Sequence, residues 1–182
     1  DSPANLRALE VTDSAVQLAW NRVRDEQEEP ISYELYLNGQ LQTTVTDSVY
    51  SGETDVVYPL EGLSPDTRYE WYVIAKGDKG TKSEQSATVA VITHVNLSVV
   101  QTVLNEQVAS GEVSGPLVKQ LGNSLDQVAH HYGKGSLAQA SKQLGNFLKH
   151  LGNPAQQDRI TASAKALLEQ KAGALLALWT ME

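Results

Sequence analysis

The sequence contains no cysteine, which excludes disulfides, thiol nucleophiles and cysteine-ligated metals. That absence does not fix the compartment, since extracellular bacterial proteins and cytosolic proteins both manage without disulfides. Long hydrophobic runs are missing too, and none approaches the ~20 residues that span a bilayer. Basic residues are few, 14 against 22 acidic ones, for a net charge of −8. This balance argues against nucleic acid or an anionic membrane as a partner. The chain opens Asp1-Ser2-Pro3, without Met or a basic leader, and reads as a piece of something longer. No Gly-x-Ser-x-Gly elbow, phosphate loop or His-Glu-x-x-His spacing occurs, so the expectation is no catalytic residues, no cofactor and no metal.

What is present is ordinary globular material, 41% hydrophobic and 20% charged, in 182 residues, enough for one or two hydrophobic cores. The pattern changes over Val91–Ser98. Before it, apolar residues alternate with polar ones in short runs broken by Gly, Pro, Asn and Asp. After it, they recur at i, i+3, i+4 and i+7. Period 2 denotes half-buried strands and a period near 3.6 denotes amphipathic helices. The expected boundary therefore divides an all-β domain, residues 1–94, from an all-α domain, residues 95–182. So short a joint, without a flexible spacer, suggests two domains held in a fixed relation. Acidity belongs to the β part: residues 1–95 carry 7 basic and 16 acidic side chains, residues 96–182 carry 7 and 6.

Seven strands are expected: Asn5–Val11, Ala15–Asn21, Ser32–Asn38, Leu41–Val45, Asp55–Leu60, Tyr69–Lys76 and Glu84–Ile92. Asn38-Gly39 between two alternating runs marks a hairpin, because both residues tolerate positive φ. Several short strands at regular spacing predict a two-sheet sandwich. Trp20 closes the second strand, Tyr33-Glu34-Leu35-Tyr36-Leu37 forms the third, and Leu63-Ser64-Pro65-Asp66-Thr67-Arg68-Tyr69 leads into the sixth. These residues resemble the fibronectin type III fold, in particular the bacterial form attached to secreted carbohydrate-active enzymes. The Leu-x-Pro-x-Thr-x-Tyr stretch matches its tyrosine corner, where a phenol bonds back to the backbone. No Arg-Gly-Asp triplet supports integrin-type recognition.

Alternation sends Tyr69, Trp71, Val73 and Ala75 inward with Tyr33, Leu35 and Leu37. It leaves Glu34, Tyr36, Tyr72 and Ile74 outward. Tyr36 and Tyr72 are thus the candidate site: an exposed pair beside Ile74 that could stack on a sugar ring or form an interdomain contact. The Arg22–Pro30 loop bunches Asp25, Glu26, Glu28 and Glu29. Hard cations want several carboxylates, but the order of a preformed Ca²⁺ loop is missing, so a solvated acidic turn is expected.

Four helices are expected next. The first is Leu97–Ala109, capped by Asn96. The second is capped by Ser114, with Pro116 in its first turn. The third is capped by Ser136, and the fourth runs from Thr161 towards Trp179 after a polar loop at Asn153–Arg159. Lys119-Gln120-Leu121-Gly122-Asn123 recurs as Lys142-Gln143-Leu144-Gly145-Asn146. In an antiparallel hairpin the two glycines fall at one height, and close backbone approach is the expected compensation for mid-helix glycine. His130, His131 and His150 sit near expected helix ends and lack metal-ligand spacing, while Trp179 is expected to close the core.

Gly111-Glu112-Val113, Leu117 to Leu125, Ala138-x-Ala140-x-x-x-Leu144-x-x-Phe147-Leu148 and Ile160-Thr161-x-x-Ala164-x-x-Leu167-Leu168 are similar to the small helical FIMAH domain. That family stands at C-terminal ends of secreted polysaccharide-degrading enzymes of Gram-positive bacteria. The two resemblances together imply an immunoglobulin-like sandwich followed by a four-helix bundle. They imply a non-catalytic, extracellular or cell-surface accessory region of such an enzyme. Its expected partners are the catalytic domain of the same parent chain and, in an alternative reading as a carbohydrate-binding module, a polysaccharide. A protein-interaction module at the cell surface is the other alternative.

Overall fold

The computed structural model describes residues 1–24, 31–47 and 54–181. Two compact units divide the chain, Asp1–His94 and Val95–Glu182. The acidic residues Asp25, Glu26, Glu28 and Glu29 lie outside the described residues.

The first unit contains β1 (Ala4–Val11), β2 (Val16–Asn21), β3 (Ile31–Leu37), β4 (Gln40–Thr46), β5 (Asp55–Leu60), β6 (Arg68–Gly77), β7 (Lys82–Gln85) and β8 (Val89–Ile92). One sheet is ordered β1-β2-β5; the other runs β4-β3-β6-β7, with β8 also on β6. Asn38 and Gly39 hold φ of 49° and 79° in the β3–β4 turn, the left-handed geometry that two-residue hairpins require. Inward residues of both sheets make the core. Trp20, Tyr33, Leu35, Trp71 and Val73 are fully buried, and Trp20 meets Tyr33 edge-on at 5.4 Å.

One expected strand is two. Glu84–Ile92 breaks at Ser86, whose hydroxyl accepts from Val73 N at 3.0 Å and donates to the carbonyl of Ala87 at 2.9 Å. A side chain that takes over a ladder bond interrupts the ladder. β7 therefore pairs with the end of β6 and β8 with its start. The corner reads as expected: the Tyr69 hydroxyl accepts from Ser64 N at 2.8 Å.

The second unit holds α1 (Leu97–Ala109), α2 (Pro116–Gly133), α3 (Leu137–Leu151), a 3-10 helix (Pro154–Arg159) and α4 (Ala162–Thr180), packed roughly as a bundle. Its core joins Val100 and Leu104 of α1, Leu117, Leu121 and Leu125 of α2, Leu144 and Phe147 of α3, and Leu168 of α4. Asn96 caps α1 through a 3.1 Å bond from Val99 N, and Thr161 caps α4 through a 3.2 Å bond from Ala164 N.

The cap of α2 differs from expectation. Ser114 N donates to the carbonyl of Arg159 at 2.8 Å, beside an antiparallel bridge between Val113 and Ile160. Gly115 therefore occupies the cap position, with φ 62° and ψ −148° and no side-chain bond. Ser136 stands at the cap of α3 but makes no capping bond either. The repeated glycines also depart from expectation. A Cβ at Gly122 or Gly145 would meet nothing within 4 Å, so neither glycine marks a close backbone approach. The α2–α3 contact is made instead by leucines and Phe147.

Candidate functional site

The β3–β6 register sets Tyr36 directly opposite Tyr72 and Glu34 opposite Ile74. Directly opposed side chains on one sheet face stand close enough to touch. The two phenol rings stack with centroids 4.8 Å apart and an interplanar angle of 10°. The predicted pair therefore forms, but both rings are half-buried rather than exposed, and each gives one face to the other. Leu41, opposite Tyr36 on the β4 side, continues the row to the sheet edge and is exposed.

Alternation placed Glu34 outward, yet it is only 6% exposed. Long side chains from β6 and, beyond it, β7 lie over it. Lys82 Nζ contacts its Oε2 at 2.7 Å, Lys76 Nζ lies 4.0 Å from its Oε1, and the Tyr36 hydroxyl donates to Oε2 at 3.0 Å. The hydrogen bond from Lys82 leads the effects that hold the Glu34 carboxyl below its usual range, with further help from Tyr36 and the charge of Lys76. The same contacts raise Lys82 and Tyr36. An anionic carboxylate thus anchors one end of the tyrosine stack and fixes ring orientation. Sequence reasoning missed Glu34, because its burial depends on which flexible side chains fold over it.

A second polar cluster lies at the inner end of β3. The Tyr33 hydroxyl accepts from Val23 N at 2.9 Å and donates to Asp47 Oδ2 at 3.2 Å, while Arg22 Nε lies 2.7 Å from the same oxygen. Burial pushes the Tyr33 phenol up to about 12. Buried and internally paired, this cluster braces the strand ends and offers no reacting atom to solvent.

In the helical unit, Phe147 is buried, whereas Trp179 is half-buried and stacks on Tyr132 at 5.0 Å and 11°. Trp179 therefore packs against the core from its rim rather than closing it. His130 and His131 occupy the last turn of α2 and His150 that of α3, near the negative ends of those helix dipoles. Among the described residues, no three His, Cys, Asp or Glu side chains gather as metal ligands. Among them too, no helix is long and apolar enough to cross a membrane.

The model of the fibronectin type III domain matches residues 1–92, and that of the FIMAH domain matches residues 97–177. The chain belongs to the fibronectin type III family and carries a FIMAH domain behind it. Both are non-catalytic domain types, and together they make an accessory or interaction module. A stretch of 78 residues is 32% identical to the tyrosine-protein phosphatase Lar of Drosophila melanogaster. That stretch is 43% of this chain and 4% of that protein, so the chain spans a small fraction of the curated relative's length. An exopolygalacturonase of family 28 from Yersinia enterocolitica is 18% identical, over 55% of this chain and 22% of the other, with a TM-score of 0.41. A Bacillus thuringiensis chitinase is 22% identical, over 51% and 13%, with a TM-score of 0.40. The sixth fibronectin type III domain of human fibronectin type III domain containing protein 3 is 21% identical, over 52% and 85%, with a TM-score of 0.41. With TM-scores near 0.4, these structural likenesses carry no argument about this chain.

Proposed function

We propose that this chain is the accessory region of a secreted bacterial polysaccharide-degrading enzyme, with the sandwich as spacer and the FIMAH domain as a stabilising or interaction unit. The observation that carries the reading is the succession of the two domain types in one chain, separated only by Thr93–Asn96. The FIMAH resemblance supports the proposed enzyme context, extracellular location and partnership with a catalytic domain of the same parent chain.

Geometry bears on the alternative of a sandwich-borne sugar platform. A platform needs a well-exposed aromatic face, whereas Tyr36 and Tyr72 are both half-buried and pinned at one end by Glu34. The pair suits a rigid outer face of the spacer better than a sugar subsite. Incubating the chain with a panel of polysaccharides and measuring released reducing ends tests the non-catalytic part. No release is expected, and release by the chain alone would overturn it. Appending the chain to a polysaccharidase tests the accessory part: the expected result is a longer half-life or higher activity on polymeric substrate, and an unchanged enzyme would count against it.

A further inference from the structure

Tyr132 stands in the last turn of α2 and Trp179 in the last turn of α4, and their rings stack nearly parallel. Trp179 rests partly on the bundle core, while Tyr132 is 51% exposed. A lone surface tyrosine moves among rotamers and loses that freedom when it binds anything. Here the anchored indole fixes the phenol ring in advance, and the exposed area of Tyr132 lies away from the indole.

Charge decides what such a ring would meet. From Gln127 to Gln157 the chain has no Asp or Glu, while it carries Lys134, Lys142 and Lys149. In a chain of net charge −8 this is a long acid-free segment, and Tyr132 lies within it. Lys134, the C-cap residue that follows Tyr132 at the end of α2, is exposed.

We propose that Tyr132, backed by Trp179 and followed by Lys134 at the end of α2, is a stacking subsite for an anionic sugar of a polysaccharide chain. The C–H face of the sugar ring would lie on the electron-rich face of the phenol, and its carboxylate or sulfate would turn to Lys134. A neutral sugar satisfies only the first of these contacts. A nucleic acid would satisfy both contacts, and it therefore enters the test below as a competing ligand. The proposal rests on the accessory reading only for the choice of a saccharide.

The site contains its own reporter, because Trp20 and Trp71 are 0% exposed and Trp179 is the third of three tryptophans. The experiment titrates the intact chain with oligogalacturonate, a chondroitin sulfate oligosaccharide, cellohexaose and a thymidine oligonucleotide, following tryptophan emission. A saturable change with at least one of the acidic sugars and none with cellohexaose is expected; carboxylated and sulfated ligands are separated by which of the two responds. Tyr132→Ala is expected to weaken binding by about tenfold, the worth of one aromatic contact. Tyr132→Phe should bind as the parent does, which separates loss of the ring from loss of the fold. Lys134→Ala should weaken binding and flatten its salt dependence, and the Tyr36→Ala/Tyr72→Ala variant should bind normally. No response to either acidic sugar, equal response to cellohexaose, or preference for the oligonucleotide overturns the proposal. Reducing-end release, measured separately, reports failure of the accessory reading instead.

Discussion

Tyr36 and Glu34, two residues apart on β3, share a hydrogen bond of 3.0 Å on a carboxylate that Lys82 also contacts at 2.7 Å. Because the folded state holds the Glu34 carboxyl below its ordinary value of 4.5, its stabilising contribution is fully present above that pH. The contribution is lost as pH falls from there through the lowered folded value. Melting temperature should therefore decline across this acid window, and Glu34→Gln should make the decline shallower. Thermal unfolding at stepped pH checks it; identical acid slopes in the two proteins would contradict the assignment.

Asp47 binds Arg22 and accepts the hydroxyl of Tyr33 in a setting where its side chain is 4% exposed. Removing one member of a buried ion pair costs about 3 kcal/mol or more, because the remaining groups stay desolvated. Asp47→Ala should lose about that much in urea unfolding, and Asp47→Asn, which keeps an acceptor for Tyr33, should lose less.

Gly115 adopts φ 62° and ψ −148°, a region essentially reserved for glycine, and a Cβ there would stand 3.1 Å from Cδ of Arg159. Strain of this kind costs about 1–3 kcal/mol. Gly115→Ala should destabilise the helical unit by that order, as read from denaturant unfolding. Adding Arg159→Ala should recover little, since it relieves the contact and leaves the backbone strain.

Gly122 and Gly145 predict the opposite sign. Both lie inside helices with open space where a Cβ would project. Each change to Ala should stabilise by up to about 1 kcal/mol, the difference in helix propensity. Denaturation midpoints of the two variants and of their combination check this, and a loss of stability would show a packing role that the structure does not contain.

Features governed by neighbouring residues were legible in the sequence: the Asn38-Gly39 turn, the bond between Tyr69 and Ser64, the Asn96 cap, and the register that brings Tyr36 to Tyr72. Features governed by distant chain were not. Ser114 looks like a helix cap, but the carbonyl of Arg159 takes its N–H, and the role passes to Gly115. Ser86 looks like part of one strand until its hydroxyl meets the backbone of β6. The QLGN repeat suggested close helix approach, yet the leucines between the helices set the spacing and leave both glycines open. For the candidate site, alternation supplied the faces of β3 and β6 and could not supply Glu34's cover. Nor could it align the last turns of α2 and α4, which is what puts Tyr132 on Trp179.

The most direct test of the accessory reading with a structural sandwich face is a retention assay on insoluble polysaccharides, comparing the parent chain with Tyr36→Ala/Tyr72→Ala. The account predicts equal retention of the two proteins on every polymer, with only stability changed by loss of the stack. Retention that the parent shows and the double variant loses would make the sandwich a sugar-binding module and contradict its assignment as a spacer.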